Sequence, residues 1–393
     1  MTYELRHALV IGAGLAGAAA CVALVRKGWR VTLIDGANGP AQAASGLPVG
    51  MLSPHVTRSP TPLSRLCELG VEMTRAELQR SVPQGAGWQA CEVDNLLHDT
   101  GRWPAALVRP GALVQAWLEE AMRHNALTTL WGAQVQALRQ AGMADGSVRW
   151  NAVNSDGQTL AQAPCAVVAG ALGSLALLSE ADAGLSSEAL PLRPVKGQMS
   201  LAAQDGAPMA ERPQRQNGVF VPDYEDSGLP PNWPARIWSM GATYDRGDDT
   251  SHTTDAAHQR NAESLRAILP AAGAAMEAAI SAGALLGWAQ VRCASLDRLP
   301  LAGGLPNVAS LHRAMDAAGS QRGRLPLEAV PRLPGLFTLS ALGSRGLTLA
   351  LPLGQRVADA IAGDASPLPM DLQRSVDPAR FAWRLARRQP AHR

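Results

Sequence analysis

One short stretch near the start of the chain limits its fold more than any other: an apolar run, His7 to Ile11 (HALVI), that breaks into Gly12-Ala13-Gly14-Leu15-Ala16-Gly17. In a strand–turn–helix unit of this pattern, the first glycine permits the tight turn. The second lets the backbone approach a pyrophosphate, and the third lets the helix pack closely on its strand. The helix N-terminus beyond the turn then offers free N–H groups to an anion. Small residues at Ala16, Ala18, Ala19 and Ala20 suit the first turns of a helix running to about Lys27, which Gly28 ends. Residues 30–34 (RVTLI) read as a second strand ending at Asp35, 23 residues after Gly12. A carboxylate there is placed to bind a ribose hydroxyl and disfavours a 2′-phosphate, so NADP is the least favoured dinucleotide. The fingerprint by itself does not separate NAD from FAD.

Downstream, a Gly/Ala/Pro/Ser-rich segment (36–62) reads as loop with one short helix, followed by helices over 63–80 and 111–124. Residues 133–138 and 147–153 alternate like strands, and 164–170 (PCAVVAG) is a buried strand ending in glycine. From about 190 to 290 strand-like pieces, 218–222 and 236–241, lie between polar loops, with a helix-like run at 255–269. Residues 306–334 look like an insertion, mostly helical or irregular. The chain then returns to a buried strand (335–340), the turn Gly343-Ser344-Arg345-Gly346 and a helix over about 349–362. The order is α/β, then β-rich, then α/β again. It predicts an α/β (α+β) protein: a Rossmann-like nucleotide-binding domain from 1–80, 105–185 and 288–393, with an antiparallel-sheet substrate domain from 81–104 and 186–287 inserted into it.

Two features favour FAD. Ala44-Ser45-Gly46 follows the second strand, where an extended dinucleotide would meet further donors. Gly343 to Gly346 precede the last helix, whose positive end would stabilise the negative charge that appears on a reduced flavin. Arg292 and Arg345 are candidates for a bidentate grip on a substrate carboxylate, and Tyr224 and Tyr244 for lining the pocket. Composition excludes more than it selects. Five scattered cysteines form no CxxC pair, the eight histidines have no metal-ligand spacing, and no GxSxG motif is present, so neither a metal nor a nucleophilic hydrolase is expected. No apolar run reaches the roughly 20 residues that span a bilayer, and no secretory leader is evident, so the expected location is the cytoplasm. Lys27 and Lys196 are the only lysines, against 33 arginines. Six of those fall in the tail 374–393, which reads either as a solvated helix or as a contact for RNA phosphates.

GAGLAG (12–17), AASG (43–46), VVAGALGS (167–174) and RCASLDRLPLAG (292–303) resemble the D-amino-acid-oxidase-like flavoproteins, which include glycine oxidase and sarcosine oxidase. A closer resemblance is to the FAD-dependent oxidoreductase half of the bifunctional tRNA 5-methylaminomethyl-2-thiouridine biosynthesis family. It is carried by ALVIGAGLAGAA (8–19), PVKGQ (194–198), GATYDRGDD (241–249), VRCASLDRLPLAG (291–303), ALGSRGL (341–347) and DPARF (377–381). The resemblance implies non-covalent FAD held by Gly12, Ala13, Gly14, Leu15, Ala16, Gly17, Asp35, Ala44, Ser45, Gly46, Val135, Ala169, Gly170, Gly343, Ser344, Arg345, Gly346 and Leu347. It implies catalytic roles for Arg292, which would grip the carboxylate, and for Arg345 and Tyr244. The implied reaction removes the carboxymethyl group from carboxymethylaminomethyl-uridine at the tRNA wobble position, giving aminomethyl-uridine and glyoxylate. The methyltransferase half of that family has no counterpart here, so a separate methyltransferase would act next. For the same reason a free amino acid (glycine, sarcosine or a D-amino acid) is an alternative substrate, and a non-catalytic flavin-bearing subunit a third reading. The AASG segment continues as LPVG (47–50), where the family often carries polar Asn-Arg residues.

Overall fold

The computed structural model describes residues 6–97, 100–142, 148–182 and 184–388. The opening unit forms as its pattern dictates: strand His7–Ile11, helix Leu15–Arg26 and strand Arg30–Ile34, the two strands parallel with His7 opposite Arg30 and Ile11 opposite Ile34. Gly28 takes the left-handed φ of +76° that ends the helix. Every residue of that helix from Gly17 to Val25 is buried. A helix apolar on all sides belongs inside a domain, and this one is packed between the helices Pro110–Arg123 and Gly346–Ala362. The crossing with the latter is close because Gly354 has no side chain: a methyl there would lie 2.8 Å from the carbonyl carbon of Ala19.

The first sheet runs Leu301–Pro306, Arg332–Ser340, Cys165–Val168, His7–Ile11, Arg30–Ile34, Leu127–Leu130. Its ladders are parallel except at the edge, where Leu301–Pro306 pairs antiparallel with Arg332–Ser340. The central strands are near-continuous apolar runs, as sheets covered on both faces require. A second, nine-stranded sheet is mostly antiparallel and is centred on the long pair Leu192–Ala203 and Leu286–Ser295, which sets Val195 opposite Arg292. A small antiparallel sheet of Ala137–Gly142, Val148–Val153 and Thr159–Ala163 completes the fold. This is the mixed α/β architecture read from the sequence.

Several local readings change. The strand expected at 133–138 begins only at Ala137; residues 133–136 belong to no strand, although Val135 is buried. Ser147, the first residue of the strand expected at 147–153, lies outside the described residues, and the strand runs Val148–Val153. The segment 36–62 holds the expected short helix, Ala44–Gly46, and also an unforeseen strand, Gly50–Leu52. The hairpin Trp88–Asn95/Gly101–Val108 and the helix Pro270–Ser281 were not legible either. The division into cofactor and substrate domains remains a proposal, and its cuts at 105 and 288 fall inside the strands Gly101–Val108 and Leu286–Ser295.

The basic tail is partly a structural clasp. Arg380, only 1% exposed, lies inside the fold with Nε 2.9 Å from Asp297 Oδ2 and Nη2 2.8 Å from Oδ1, and it also donates to the carbonyls of Leu299 and Pro300. Arg387 lies over the Trp383 ring, 4.5 Å from its centre. Arg384, Arg387 and Arg388 are exposed, and residues 389–393 lie outside the described residues.

Candidate active site

One cleft runs between the two large sheets. Its floor is the glycine-rich turn and the ends of the parallel strands, and its far wall is the strand Leu286–Ser295. The turn is held in a shape that needs its glycines. Gly12 has φ +107°, and a methyl there would meet the Ala169 carbonyl oxygen at 2.6 Å. A methyl on Gly17 would lie 1.7 Å from the Gly12 carbonyl oxygen. Asp35 accepts from the Ala13 amide at 2.6 Å and the Ala37 amide at 2.8 Å, which fixes its carboxylate at the rim of the cleft. Ser45 accepts from the Leu15 amide at 2.9 Å and so ties the loop 43–47 over the same turn.

Two helices begin at this cleft, and neither is capped by the side chain of its own N-cap residue. The helix Leu15–Arg26, with Gly14 as N-cap, has no side-chain hydrogen bond from that cap and no acid in its first turn. The same is true of Gly346–Ala362 with Arg345 as N-cap. The first turn of a helix carries amides without intrahelical partners and the positive end of the dipole. Anionic groups at both points, a diphosphate and a reduced flavin ring, fit that arrangement, and a ribose fits beside Asp35.

Of the expected cofactor residues, Gly12, Ala13, Gly14, Leu15, Ala16, Asp35, Ala44, Ser45, Ala169, Gly170, Gly343, Ser344, Gly346 and Leu347 line the cleft together. Gly17 sits behind the turn as a packing residue, and Gly46 is pressed toward the Ala41 carbonyl oxygen. Val135 is buried in the cluster with Ile34 and Leu138, away from the lining. Of the expected catalytic residues, Arg292 lines the cleft, whereas Tyr244 is half-exposed at its edge, with the Arg292 guanidinium carbon 6.0 Å from its ring centre. Tyr224 is buried elsewhere, bonded to Asp226. Arg345 turns its side chain away from the cofactor floor to His55, 3.3 Å from Nη2. Met51, Trp288, Gln290 and Thr348 also line the cleft and carry no motif that would have revealed them; Ala341, at the head of ALGSRGL, lines it too.

Arg292 is the most unusual charge in the molecule. Its Nη1 donates to the Thr243 carbonyl at 3.2 Å, and among the described residues it has no ion-pair partner. Burial pushes its pKa below the usual arginine value, opposed by Tyr244 and Asp245. Arginine stays charged nonetheless, so the site holds a desolvated cation that an incoming carboxylate would neutralise. Room for the guanidinium comes from Gly197, within the PVKGQ segment; a methyl on Gly197 would lie 2.0 Å from Nη1. Gly197→Ala is therefore expected to push the Arg292 head group aside and raise KM for a carboxylate substrate about tenfold, roughly 1.4 kcal/mol, with flavin content retained. Steady-state kinetics and the visible spectrum check this. An unchanged KM would deny Gly197 its role.

A chain with a nucleotide fingerprint, two helix ends aimed into one cleft and an unpaired cation opposite them has the build of a flavin-dependent oxidoreductase. The chain belongs to the family described as FAD dependent oxidoreductase (DAO), which matches residues 7–106 and 101–360. Its cofactor is FAD, and it is an oxidoreductase. It is 32% identical over 427 residues to the tRNA 5-methylaminomethyl-2-thiouridine biosynthesis bifunctional protein of Verminephrobacter eiseniae (strain EF01-2), a match covering 95% of this chain and 63% of that protein. The protein of the same name from Aromatoleum aromaticum is also 32% identical, covering 97% and 61%. The chain thus spans about three-fifths of the length of these curated relatives. Among solved structures, glycine oxidase from Geobacillus kaustophilus superposes with a TM-score of 0.68 at 16% identity, covering 95% of this chain and 99% of that one. L-proline dehydrogenase from P. horikoshii gives 0.67 at 14% identity, covering 96% and 98%. At such identities these two speak for the fold alone.

Proposed function

We propose that the protein oxidises the N-carboxymethyl group of carboxymethylaminomethyl-uridine at the wobble position of tRNA, releasing glyoxylate and leaving aminomethyl-uridine. The observation that carries this is the half-buried Arg292 guanidinium, which faces the cofactor cleft without an acid partner among the described residues. A glycine-like fragment offers the carboxylate it lacks. The relatives' printed name, tRNA 5-methylaminomethyl-2-thiouridine biosynthesis, supports a tRNA substrate over a free amino acid.

Bound, non-covalent FAD would supply the two-electron acceptor for the hydride leaving the methylene carbon. The chain's own residues do the rest. Arg292 would hold the carboxylate in a planar fork and so orient the methylene, with Thr243 and Gly197 fixing the guanidinium and Tyr244 flanking it. The amine loses a proton with the hydride, and water then adds across the resulting C=N bond to split off glyoxylate. We infer a cytoplasmic site of action, since that is where tRNA is modified; no helix among the described residues is long and apolar enough to cross a membrane. A separate methyltransferase would act on the product.

The test is direct. Purified protein loaded with FAD is incubated with tRNA carrying the carboxymethylaminomethyl group, and the nucleosides and glyoxylate are quantified. Conversion to aminomethyl-uridine with one glyoxylate each is the expected result. Intact tRNA alongside rapid oxidation of free glycine or sarcosine would replace the reading with an amino-acid oxidase.

A further inference from the structure

At the mouth of the cleft stands a second group of cations that the reaction above does not use. Arg345 lies between two lining residues, Ser344 and Gly346, but its side chain reaches out to His55. Next to it Arg215, from the strand Gln214–Gln216, donates from Nη1 to Ser53 Oγ and to the Pro54 carbonyl, both at 2.8 Å, and from Nε to Asn95 Oδ1 at 3.0 Å. These acceptors are all neutral. Among the described residues neither arginine has an acid partner, and Arg215 Nη2 has no hydrogen-bond partner. The acids on the strand paired with Arg215, and Glu211 just before it, are engaged elsewhere: Asp94 takes Gln214 and Arg102, Glu92 faces Arg102 and Arg212, and Glu211 pairs with Arg212.

His55 adds no compensating charge. Burial, then Arg345, then Arg215, lower its pKa to about 4, so at neutral pH it is an uncharged ring whose free nitrogen accepts from Arg345. Arg215 likewise has its pKa lowered, by burial and then by Arg345. Two neighbouring, half-buried guanidiniums repel one another, and the fold gives up stability to keep them there unless an anion sits between them. All three side chains remain partly open to solvent, so a ligand can reach them.

We propose that Arg215, Arg345 and His55 form a second anion subsite, which takes an oxyanion of the substrate other than the carboxylate held by Arg292. The substrate is thus an N-carboxymethyl amine with at least two anionic groups. This rests on the proposed function for its preferred source, a backbone phosphate beside the modified uridine. The same chemistry could come from the second carboxylate of a small iminodicarboxylate, and the experiment separates the two.

The experiment compares FAD-loaded wild type with Arg215→Gln and Arg215→Lys on two substrate pairs. One pair is the modified anticodon stem-loop against the free modified nucleoside; the other is iminodiacetate against sarcosine. Inhibition by inorganic phosphate is measured alongside. Expected is a fall of at least tenfold in the stem-loop:nucleoside ratio of kcat/KM for Arg215→Gln, with weaker phosphate inhibition and partial recovery in Arg215→Lys. A fall confined to the iminodiacetate:sarcosine ratio keeps the subsite and assigns it a carboxylate. If wild type turns over neither tRNA substrate, yet Arg215→Gln weakens phosphate inhibition of amine oxidation, the tRNA reading fails and the subsite stands. Unaltered ratios and unaltered phosphate inhibition, in variants that melt like wild type and remain yellow, overturn the proposal. Should Arg215→Gln not fold, His55→Ala, which removes the acceptor of Arg345, is put through the same comparison: a tenfold fall supports the subsite, and unaltered ratios and phosphate inhibition overturn it.

Discussion

An Arg292→Ala enzyme is expected to stay yellow and to lose about 10²–10³ in kcat/KM, on the order of 3–4 kcal/mol. The loss is large because the guanidinium is half-buried and, among the described residues, has no acid partner. Removing it leaves a substrate carboxylate desolvated in the cleft with no counter-charge, a harsher outcome than loss of a surface ion pair. Flavin content should persist, since Arg292 sits on the wall formed by Leu286–Ser295 and not on the glycine-rich turn. Arg292→Lys should recover only part of the loss, because an ammonium is a point charge without the planar fork. Steady-state kinetics on tRNA and on small amines, with flavin absorbance as the control, decide the matter. A variant retaining wild-type kcat/KM would remove the carboxylate grip from the mechanism and favour a flavin-bearing subunit without catalysis of its own.

Gly17→Ala is expected to fail earlier, at cofactor binding and folding. The added methyl would lie 1.7 Å from the Gly12 carbonyl oxygen and 2.9 Å from its carbon. Both are backbone atoms, so no side chain can rotate to relieve the overlap; either the helix Leu15–Arg26 lifts off its strand or the turn opens. A cost of about 3 kcal/mol is the natural scale for such overpacking, and a displaced turn no longer presents its amides to a diphosphate. Gly14→Ala is the informative control. Its methyl would meet only the Ser45 side chain, with Oγ at 3.0 Å, and that hydroxyl can move. The Gly14 variant should therefore melt close to wild type yet bind FAD more weakly, whereas the Gly17 variant should be both colourless and destabilised. Equal melting temperatures and equal flavin content in all three proteins would contradict this account of the turn.

Much of the cofactor half could be read without a structure because its signals are local. A glycine at 12, 14 or 17 reports on backbone within a few residues or across one strand pair. The strands at 7–11 and 30–34 came out with the bounds their apolar runs give. The substrate half resisted reading for the opposite reason. Trp88–Asn95 and Gly101–Val108 are half-buried strands of mixed composition, whose identity lies in the sheet they join. Gly197 looks like any glycine until Arg292, 95 positions later, is laid beside it across the Val195–Arg292 register. Arg345 shows the same limit from the other side. Its place in the ALGSRGL segment implied contact with flavin or substrate, and its backbone does flank the cleft, but its side chain settles on His55, 290 residues away in the chain.

The sequence by itself determined the dinucleotide turn, the acid at the end of the second strand, and the α/β–β–α/β order, because each depends on conformational freedom and apolar periodicity over short spans. The tertiary structure alone decided which cations go unpaired. Arginines are plentiful in this chain; only the assembled sheets show that Arg292, Arg215 and Arg345, gathered about one cleft, have no acid partner among the described residues. Charge neutralisation is a property of neighbours in space, and neighbours drawn from distant strands leave no trace in the order of the residues.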